Sequence, residues 1–295
     1  MRARACNACW SVAIAVDCPC CFLALSSCGE AAQTRRRLRG VAIDATDRDY
    51  VDNQELQKAL ADVPGDGHRV DLLGFDACLM SVVEIGYQLR GLTRLMVGSQ
   101  ETEPGAGWPY KEVLAALAAR PTMSAHQLAE TIVTCYAQTA GRRLRGRESP
   151  YTQSALDLDK VNQTFDLVRE LTLKLLDTHV LDHTKVRSAL RRSRDQVKRF
   201  CDRDLADLLD WCKLLRRETK GRASEPFRET LLALQAHLEP GAGLVVASHA
   251  HGGSDANRIH GVSIYWPQEG YSSVYDRLDF AASGWGHLAE QAVSL

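Results

Sequence analysis

The sequence predicts an α/β fold: a mainly parallel sheet covered by helices on both faces, followed by a helical C-terminal region. Two observations predict it. Short apolar runs of strand length alternate with amphipathic stretches of helix length. The apolar runs Val70–Phe75 and Arg94–Ser99 also lie one helix apart, which is the spacing of a βαβ unit. Composition fits a globular α/β protein. The chain has 295 residues, 45% of them hydrophobic and 25% charged, enough for a substantial core. Its formal net charge of −1 supplies no global field toward nucleic acid or anionic membrane. No run of about eighteen uncharged apolar residues occurs, so no spanning helix is expected.

Residues 1–34 differ in character from the rest and hold six of the ten cysteines: Cys6, Cys9, Cys18, Cys20, Cys21 and Cys28. Three readings stand side by side. Arg2 and Arg4, an apolar middle and Leu25-Ser26-Ser27-Cys28 resemble a lipoprotein signal, although Asp17 interrupts the apolar region. The pairs Cys6/Cys9 and Cys18/Cys20/Cys21 supply enough thiolates for zinc, at short and irregular spacing. Alternatively the segment comes from a wrong start or a shifted reading frame. The remaining cysteines, Cys78, Cys135, Cys201 and Cys212, are scattered singly and do not form a disulfide pattern.

From residue 35 the elements follow in order. Arg35–Arg39 is a basic run of solvated character. Gly40–Asp44 reads as a short strand and Asn53–Leu60 as a helix. Pro64-Gly65-Asp66-Gly67 is a turn. The Val70–Phe75 strand leads to a helix expected over Leu79–Arg90, with Leu79, Val82, Val83, Gly86 and Leu89 on one face. After the Arg94–Ser99 strand comes a loop rich in Gly, Pro and aromatics, residues 100–110. Tyr110–Ala119 and Ser124–Ala140 read as helices, the second capped by Ser124. Gly141–Pro150 is a basic loop and Thr152–Leu158 has strand character. Residues 159–238 read as charged amphipathic helices, and Leu244–Ser248 and Arg258–Tyr265 as the last strands. The resulting organisation is an atypical segment (1–34), a core carrying Cys78 (35–158), a helical region (159–240), and final strands with a C-terminal extension (241–295).

Cys78 lies between a strand end and the expected helix start. Unpaired backbone N–H groups converge at such a junction, and a helix dipole there favours a thiolate. Open α/β sheets place their chemistry at these strand ends. Position alone also admits a small buried hydrophobe beside a turn, since free cysteine is among the most buried residue types.

Four pieces of sequence decide between those readings. Phe75-Asp76-Ala77-Cys78-Leu79-Met80 followed by Glu84, Ser99-Gln100-Glu101 with Glu103-Pro104-Gly105 and Gly107-Trp108-Pro109-Tyr110, Gly40-Val41-Ala42-Ile43-Asp44, and Ile259–Pro267 resemble segments of clostripain-type cysteine peptidases, relatives of caspases and gingipains. They span about residues 40–267. The resemblance implies a caspase-like α/β/α sandwich and hydrolysis by a Cys–His dyad, with Cys78 as nucleophile at a lowered pKa and backbone N–H groups holding the oxyanion. It implies peptide or protein substrates cut after Arg or Lys, with Asp76 near the acidic specificity pocket and Glu101, Glu103 and Trp108 as further binding residues. Asp76 is almost as well read as a cap for the Cys78 turn. The resemblance also implies a secreted or cell-envelope location. It demands no cofactor. Calcium serves some relatives, and here Asp44, Asp47, Asp49 and Asp52 are spaced suggestively, although a solvated acidic turn explains them as well.

The dyad's histidine is where this chain departs. The family's His-Gly motif ends a strand upstream of the Gly-Val-Ala-Ile-Asp-like stretch, and its place here falls within Leu25–Glu30, which holds no histidine. The first histidine after it, His68, precedes the nucleophile strand at the opposite end. With about 3.3 Å of rise per residue, it is out of reach of Cys78. Ser248-His249-Ala250-His251-Gly252 has the local look of His-Gly in the wrong chain order and reads as a polar loop, and His260 reads as structural. The expectation is a peptidase fold of impaired activity, with a pseudo-peptidase that binds peptide or a protein partner as the alternative. A zinc- or thiol-dependent regulator built on the N-terminal cysteines is a third class. Arg35–Arg39 sits where relatives are cleaved for activation, so it is a candidate self-cleavage loop.

Overall fold

The computed structural model describes residues 10–15, 22–27, 42–44, 49–51, 53–61, 69–104, 106–143, 150–177, 183–221 and 223–295. Cys6, Cys9, Cys18, Cys20, Cys21 and Cys28, the Arg35–Arg39 run, Asp47, Asp52, the Pro64–Gly67 turn and His68 lie outside them.

In chain order the elements are Trp10–Ala15 (β1), Phe22–Ser27 (β2), Ala42–Asp44 (β3), Asp49–Val51 (β4), Asn53–Ala61 (α1), Val70–Asp76 (β5), Val83–Leu89 (α2) and Thr93–Gly98 (β6). There follow Tyr110–Ala119 (α3), Ala125–Arg143 (α4), Tyr151–Asp157 (β7), Val161–Leu176 (α5), His183–Gln196 (α6), Leu205–Asp207 (β8) and Leu208–Glu218 (α7). The last are Glu225–Leu238 (α8), Val245–His251 (β9), Ser263–Tyr265 (β10) and Trp285–Val293 (α9).

The main sheet has the order β1-β2-β5-β6-β7-β9. β2, β5 and β6 are parallel neighbours, and β7 runs against both β6 and β9. β9 therefore points the same way as β2, β5 and β6, while β1 and β7 oppose them. By direction the sheet is mainly parallel, as expected. β2 and β5 pair from Phe22↔Leu72 to Ser26↔Asp76, so the segment read as atypical supplies the strand beside the nucleophile strand.

Period-2 alternation distributes the strand side chains to two apolar layers. Leu72, Leu95 and Val97 pack with Val113, Leu128, Ile132 and Tyr136 of α3 and α4. Leu73, Phe75 and Met96 pack on the other face with Val83 and Leu89 of α2 and Val161, Val168 and Leu171 of α5. That second layer runs on into α7, α8 and α9, where Trp211, Trp266 and Trp285 meet with centroids 4.9–5.5 Å apart. Ser124 caps α4 as expected: its Oγ accepts from the Gln127 N–H at 3.2 Å, and its own N–H donates to Gln127 Oε1 at 2.9 Å.

Three local expectations change. The helix expected from Leu79 begins at Val83, because the preceding residues are held extended by distant partners: Ser81 N–H donates to Ser99 O at 2.9 Å, and Val82 bridges Ser263. The region read as charged amphipathic helices, residues 159–238, also contains β8, which pairs with β10 as a separate ribbon. His249 and His251, expected in a loop, lie in β9 paired with Gln153 and Tyr151.

Candidate active site

The site forms at the carboxyl ends of β5 and β6. Asp76 is the last residue of β5 and is buried. Its Oδ2 accepts from the Trp108 backbone N–H at 3.0 Å and the Tyr110 hydroxyl at 3.1 Å. This brings the 100–110 loop back over the strand end. Gly107 makes the approach feasible: at φ +65°, a Cβ there would stand 2.6 Å from Asp76 Oδ2.

Cys78 follows on an exposed turn. Its neighbour Leu79 has φ +62°, a left-handed conformation that is costly for a branched side chain. It is imposed by the Leu79 N–H donating to Glu101 O at 3.2 Å while the side chain is buried against Phe200 and Ile259. Cys78 Sγ accepts from the Glu103 N–H at 3.2 Å, a bond that favours the thiolate. Burial outweighs it, and with the negative charges of Glu103, Cys201 and Glu101 nearby, the thiol is pushed up from its ordinary value. Two expectations are thereby corrected. The helix starts five residues after Cys78, beyond the reach of its first-turn dipole, and the thiol pKa is raised rather than lowered.

The two glutamates occupy different positions. Glu103 turns its carboxyl inward to the Tyr136 hydroxyl, beside Asp76. Burial and the Asp76 charge push it well above the usual carboxylate range, which favours its protonated form. Gln153 completes its surroundings, oriented so that its amide nitrogen donates to Gly98 O and its oxygen accepts from Trp108 Nε1 at 2.9 Å. Glu101 Oε1 accepts from the Thr102 and Cys201 N–H groups, each at 3.0 Å, and burial raises its pKa against the pull of Lys198. Trp108 is buried in the α3/α4 layer, and its backbone rather than its ring meets Asp76.

Behind these residues a buried polar network locks the loops to the frame. Ser99 Oγ and Thr152 Oγ1 are 2.7 Å apart, and Thr152 accepts from the Gln100 and Glu101 N–H groups. Gln100 donates to Asp207 and Ser263, each at 3.1 Å, and accepts from Gly261 N–H at 2.7 Å. Ser81 and Ser154 both donate to Gly261 O. The long-range bonds of this network form when β6, β7, β8 and β10 are assembled.

Among the described residues no imidazole hydrogen-bonds Cys78. His249 and His251 lie on β9, three strands from β5, roughly 14 Å at about 4.8 Å per strand. His260 holds Asp207 through Nδ1 at 2.9 Å and lies 3.2 Å from Lys213 Nζ. The described residues contain no group of three or more His, Cys, Asp or Glu side chains able to hold a metal ion.

Sequence reading did not assign Tyr110, Tyr136, Gln153 or Cys201 to the site. Tyr110 stands in the Trp-Pro-Tyr loop quoted for the resemblance. Tyr136 sits among Ile132, Val133 and Ala140 on the apolar face of α4 and reads as core. For Gln153 and Cys201 the sequence carries no signal.

An exposed thiol beside the Asp76 and Glu103 carboxyl groups, at the strand ends of an α/β/α sandwich, fits the caspase-like cysteine peptidase frame expected from the sequence. The chain belongs to the clostripain family, whose model matches residues 20–285. No curated protein matches the sequence. Among solved structures, a B. fragilis cysteine protease is 20% identical with a TM-score of 0.53, over 82% of this chain and 96% of that one. An inactive zymogen C11 protease from Parabacteroides distasonis is 18% identical with a TM-score of 0.59, over 89% of this chain and 69% of that one. A secreted C11 cysteine protease from Bacteroides thetaiotaomicron, complexed with an irreversible peptide inhibitor, is 18% identical with a TM-score of 0.54, over 80% of this chain and 64% of that one, less than two thirds of its length. At these identities the likeness is one of fold. Among the described residues no helix is long and apolar enough to cross a membrane.

Proposed function

We propose that this clostripain-family cysteine peptidase takes peptides carrying Arg or Lys on the acyl side of the scissile bond, with Cys78 as nucleophile, and that the sequence as it stands turns over slowly. The observation that carries the specificity is the pair of carboxyl groups beside the thiol, buried Asp76 and half-buried Glu103 with its carboxyl turned inward. A cation entering there meets the Asp76 carboxylate and favours ionisation of Glu103. In the reaction, Cys78 Sγ attacks the scissile carbonyl as a thiolate and the carbonyl electrons move to oxygen. The Cys78 N–H, which has no acceptor among the described residues, is the candidate donor to that oxyanion. The leaving amine then needs a proton.

Slow turnover is supported by that last requirement. The raised Cys78 pKa leaves little thiolate at neutral pH, and no described imidazole is placed to take the thiol proton and return it to the amine. In relatives the base follows a strand in a His-Gly motif. Here the residues after β2 in sequence are Cys28 and Gly29. The alternative, a pseudo-peptidase that binds peptide, rests on the same absence. A secreted or cell-envelope location rests on the family and on the secreted relative.

Hydrolysis of an arginyl amide by the full chain tests the reading. Turnover near background is expected, with Cys28→His raising kcat/KM by about 10³ or more and Cys78→Ala abolishing the gain. Robust turnover by the unaltered chain, lost in Cys78→Ala, overturns the slow-turnover reading. A folded Cys28→His variant that stays inert overturns the assignment of the missing base.

A further inference from the structure

Of the four cysteines whose side chains are described, Cys212 is buried, Cys135 is half-buried, and Cys78 and Cys201 are exposed. The two exposed thiols are also neighbours. Glu101 holds both segments, its carbonyl accepting from the Leu79 N–H and its carboxyl from the Cys201 N–H. The adjacent side chains, Leu79 and Phe200, pack together with Ile259 in one small apolar cluster. A negative charge at Cys201 raises the Cys78 thiol further. Nothing in the peptidase chemistry uses Cys201, and its Sγ has no hydrogen-bond partner among the described residues.

We propose that Cys201 is a resolving thiol for Cys78: a hydroperoxide oxidises Cys78, and Cys201 then closes a reversible Cys78–Cys201 disulfide over the site. The steps balance. Cys78 thiolate attacks one oxygen of hydrogen peroxide, the O–O bond breaks, and a sulfenic acid and hydroxide form. Cys201 thiolate attacks the sulfenic sulfur, the S–S bond forms, and the S–O bond breaks to release hydroxide, which is protonated to water. In sum, two thiols and one peroxide give one disulfide and two waters. Both cysteines lie outside strands and helices, Cys78 on a turn and Cys201 on a bend. Bringing their Cα atoms into the window of about 4.4–6.8 Å that a disulfide needs therefore breaks no sheet ladder. The Glu103 N–H that holds Cys78 Sγ favours the first thiolate against the burial that opposes it. The bond blocks the nucleophile and protects it from over-oxidation, since a sulfenic acid without a nearby thiol proceeds to sulfinic acid. The inference does not depend on turnover, so it stands or falls apart from the proposed function.

The test is non-reducing tryptic mapping of the full chain, pre-reduced and then treated with hydrogen peroxide. Trypsin leaves Cys78 in residues 70–90 and Cys201 in residues 200–203. The expected product is these two peptides joined, short of two hydrogens, and separated by dithiothreitol. In Cys201→Ser the joined species is lost, and Cys78 instead gains two oxygens that dithiothreitol does not remove. Circular dichroism confirms that this exposed-site variant is folded. The proposal is overturned if Cys78 gains oxygens equally fast in both proteins, if its disulfide partner is one of the N-terminal cysteines, or if it stays reduced under peroxide that oxidises a free cysteine peptide.

Discussion

Asp76 combines a capping role with a charge role, and the two hydrogen bonds it accepts from Trp108 and Tyr110 fall on one oxygen. In Asp76→Asn the amide oxygen can take the place of Oδ2 and keep the Trp108 N–H and Tyr110 hydroxyl bonds, while the charge is removed. Bonds to a charged acceptor contribute about 1.5–3 kcal/mol and neutral ones about 0.5–1.5, so the variant loses roughly 1–3 kcal/mol of stability; Asp76→Ala, which loses both bonds outright, loses roughly 3–5. A full charge about 5 Å from a bound guanidinium, at an effective dielectric of about 20, contributes roughly 3 kcal/mol to selectivity, about a hundredfold. The single variant will show less. The Asp76 charge helps keep Glu103 protonated, and removing it lets Glu103 ionise more readily and replace part of the field. We expect about a tenfold loss in Asp76→Asn and about a hundredfold loss in Asp76→Asn combined with Glu103→Gln. The assay is alkylation of Cys78 by an arginyl chloromethyl ketone, divided by the rate with the alanyl analogue, read by intact mass at alkaline pH. This needs no turnover. A double variant with native near-ultraviolet dichroism and an unchanged arginyl/alanyl ratio refutes the acidic-pocket argument.

Other outcomes follow from the same geometry. Gly107→Ala puts a methyl group against Asp76 Oδ2 in a left-handed conformation, and should lower stability by roughly 2–4 kcal/mol in chemical denaturation; an unchanged midpoint would show that the loop can relax away from Asp76. Glu103 has a folded-state pKa above its unfolded value. Its contribution is therefore fully present below the unfolded carboxylate range and is lost as pH rises through the folded value, at about 1.4 kcal/mol per pH unit between the two. Glu103→Gln should flatten that decline, as measured by denaturation from mildly acid to mildly alkaline pH. Because burial, Glu103, Cys201 and Glu101 all raise the Cys78 thiol, its alkylation by iodoacetamide should be slower at neutral pH than that of a free cysteine and keep rising beyond the ordinary thiol range. Glu101→Gln should move the profile to lower pH, and a profile that plateaus below neutrality would contradict the raised pKa.

The sequence by itself determined what depends on neighbours in the chain. The strand at Val70, the strand at Thr93 and the α4 cap at Ser124 follow from alternation and from a side chain three residues away, and the structure reproduces each within a residue or two. The caspase-like frame and the clostripain family were legible from the Cys78 motif and the Trp-Pro-Tyr loop, because those residues stay contiguous. Tertiary structure alone decided the rest. Leu79–Val82 have a helical pattern, but backbone bonds to Ser99 and Glu101 and the bridge to Ser263 hold them out of a helix, with Leu79 left-handed, so Cys78 loses the helix terminus that local reading gave it. Glu103, Tyr136 and Gln153 converge only when three separate segments stack, and their burial, not their spacing, sets the charge of the site. Cys201 lies more than a hundred residues from Cys78, and their segments are brought together by the backbone and carboxyl of Glu101 and by the packing of Leu79 against Phe200 and Ile259. Local propensity is fixed by a few bonds along the chain, whereas desolvation and charge coupling are properties of the assembled interior.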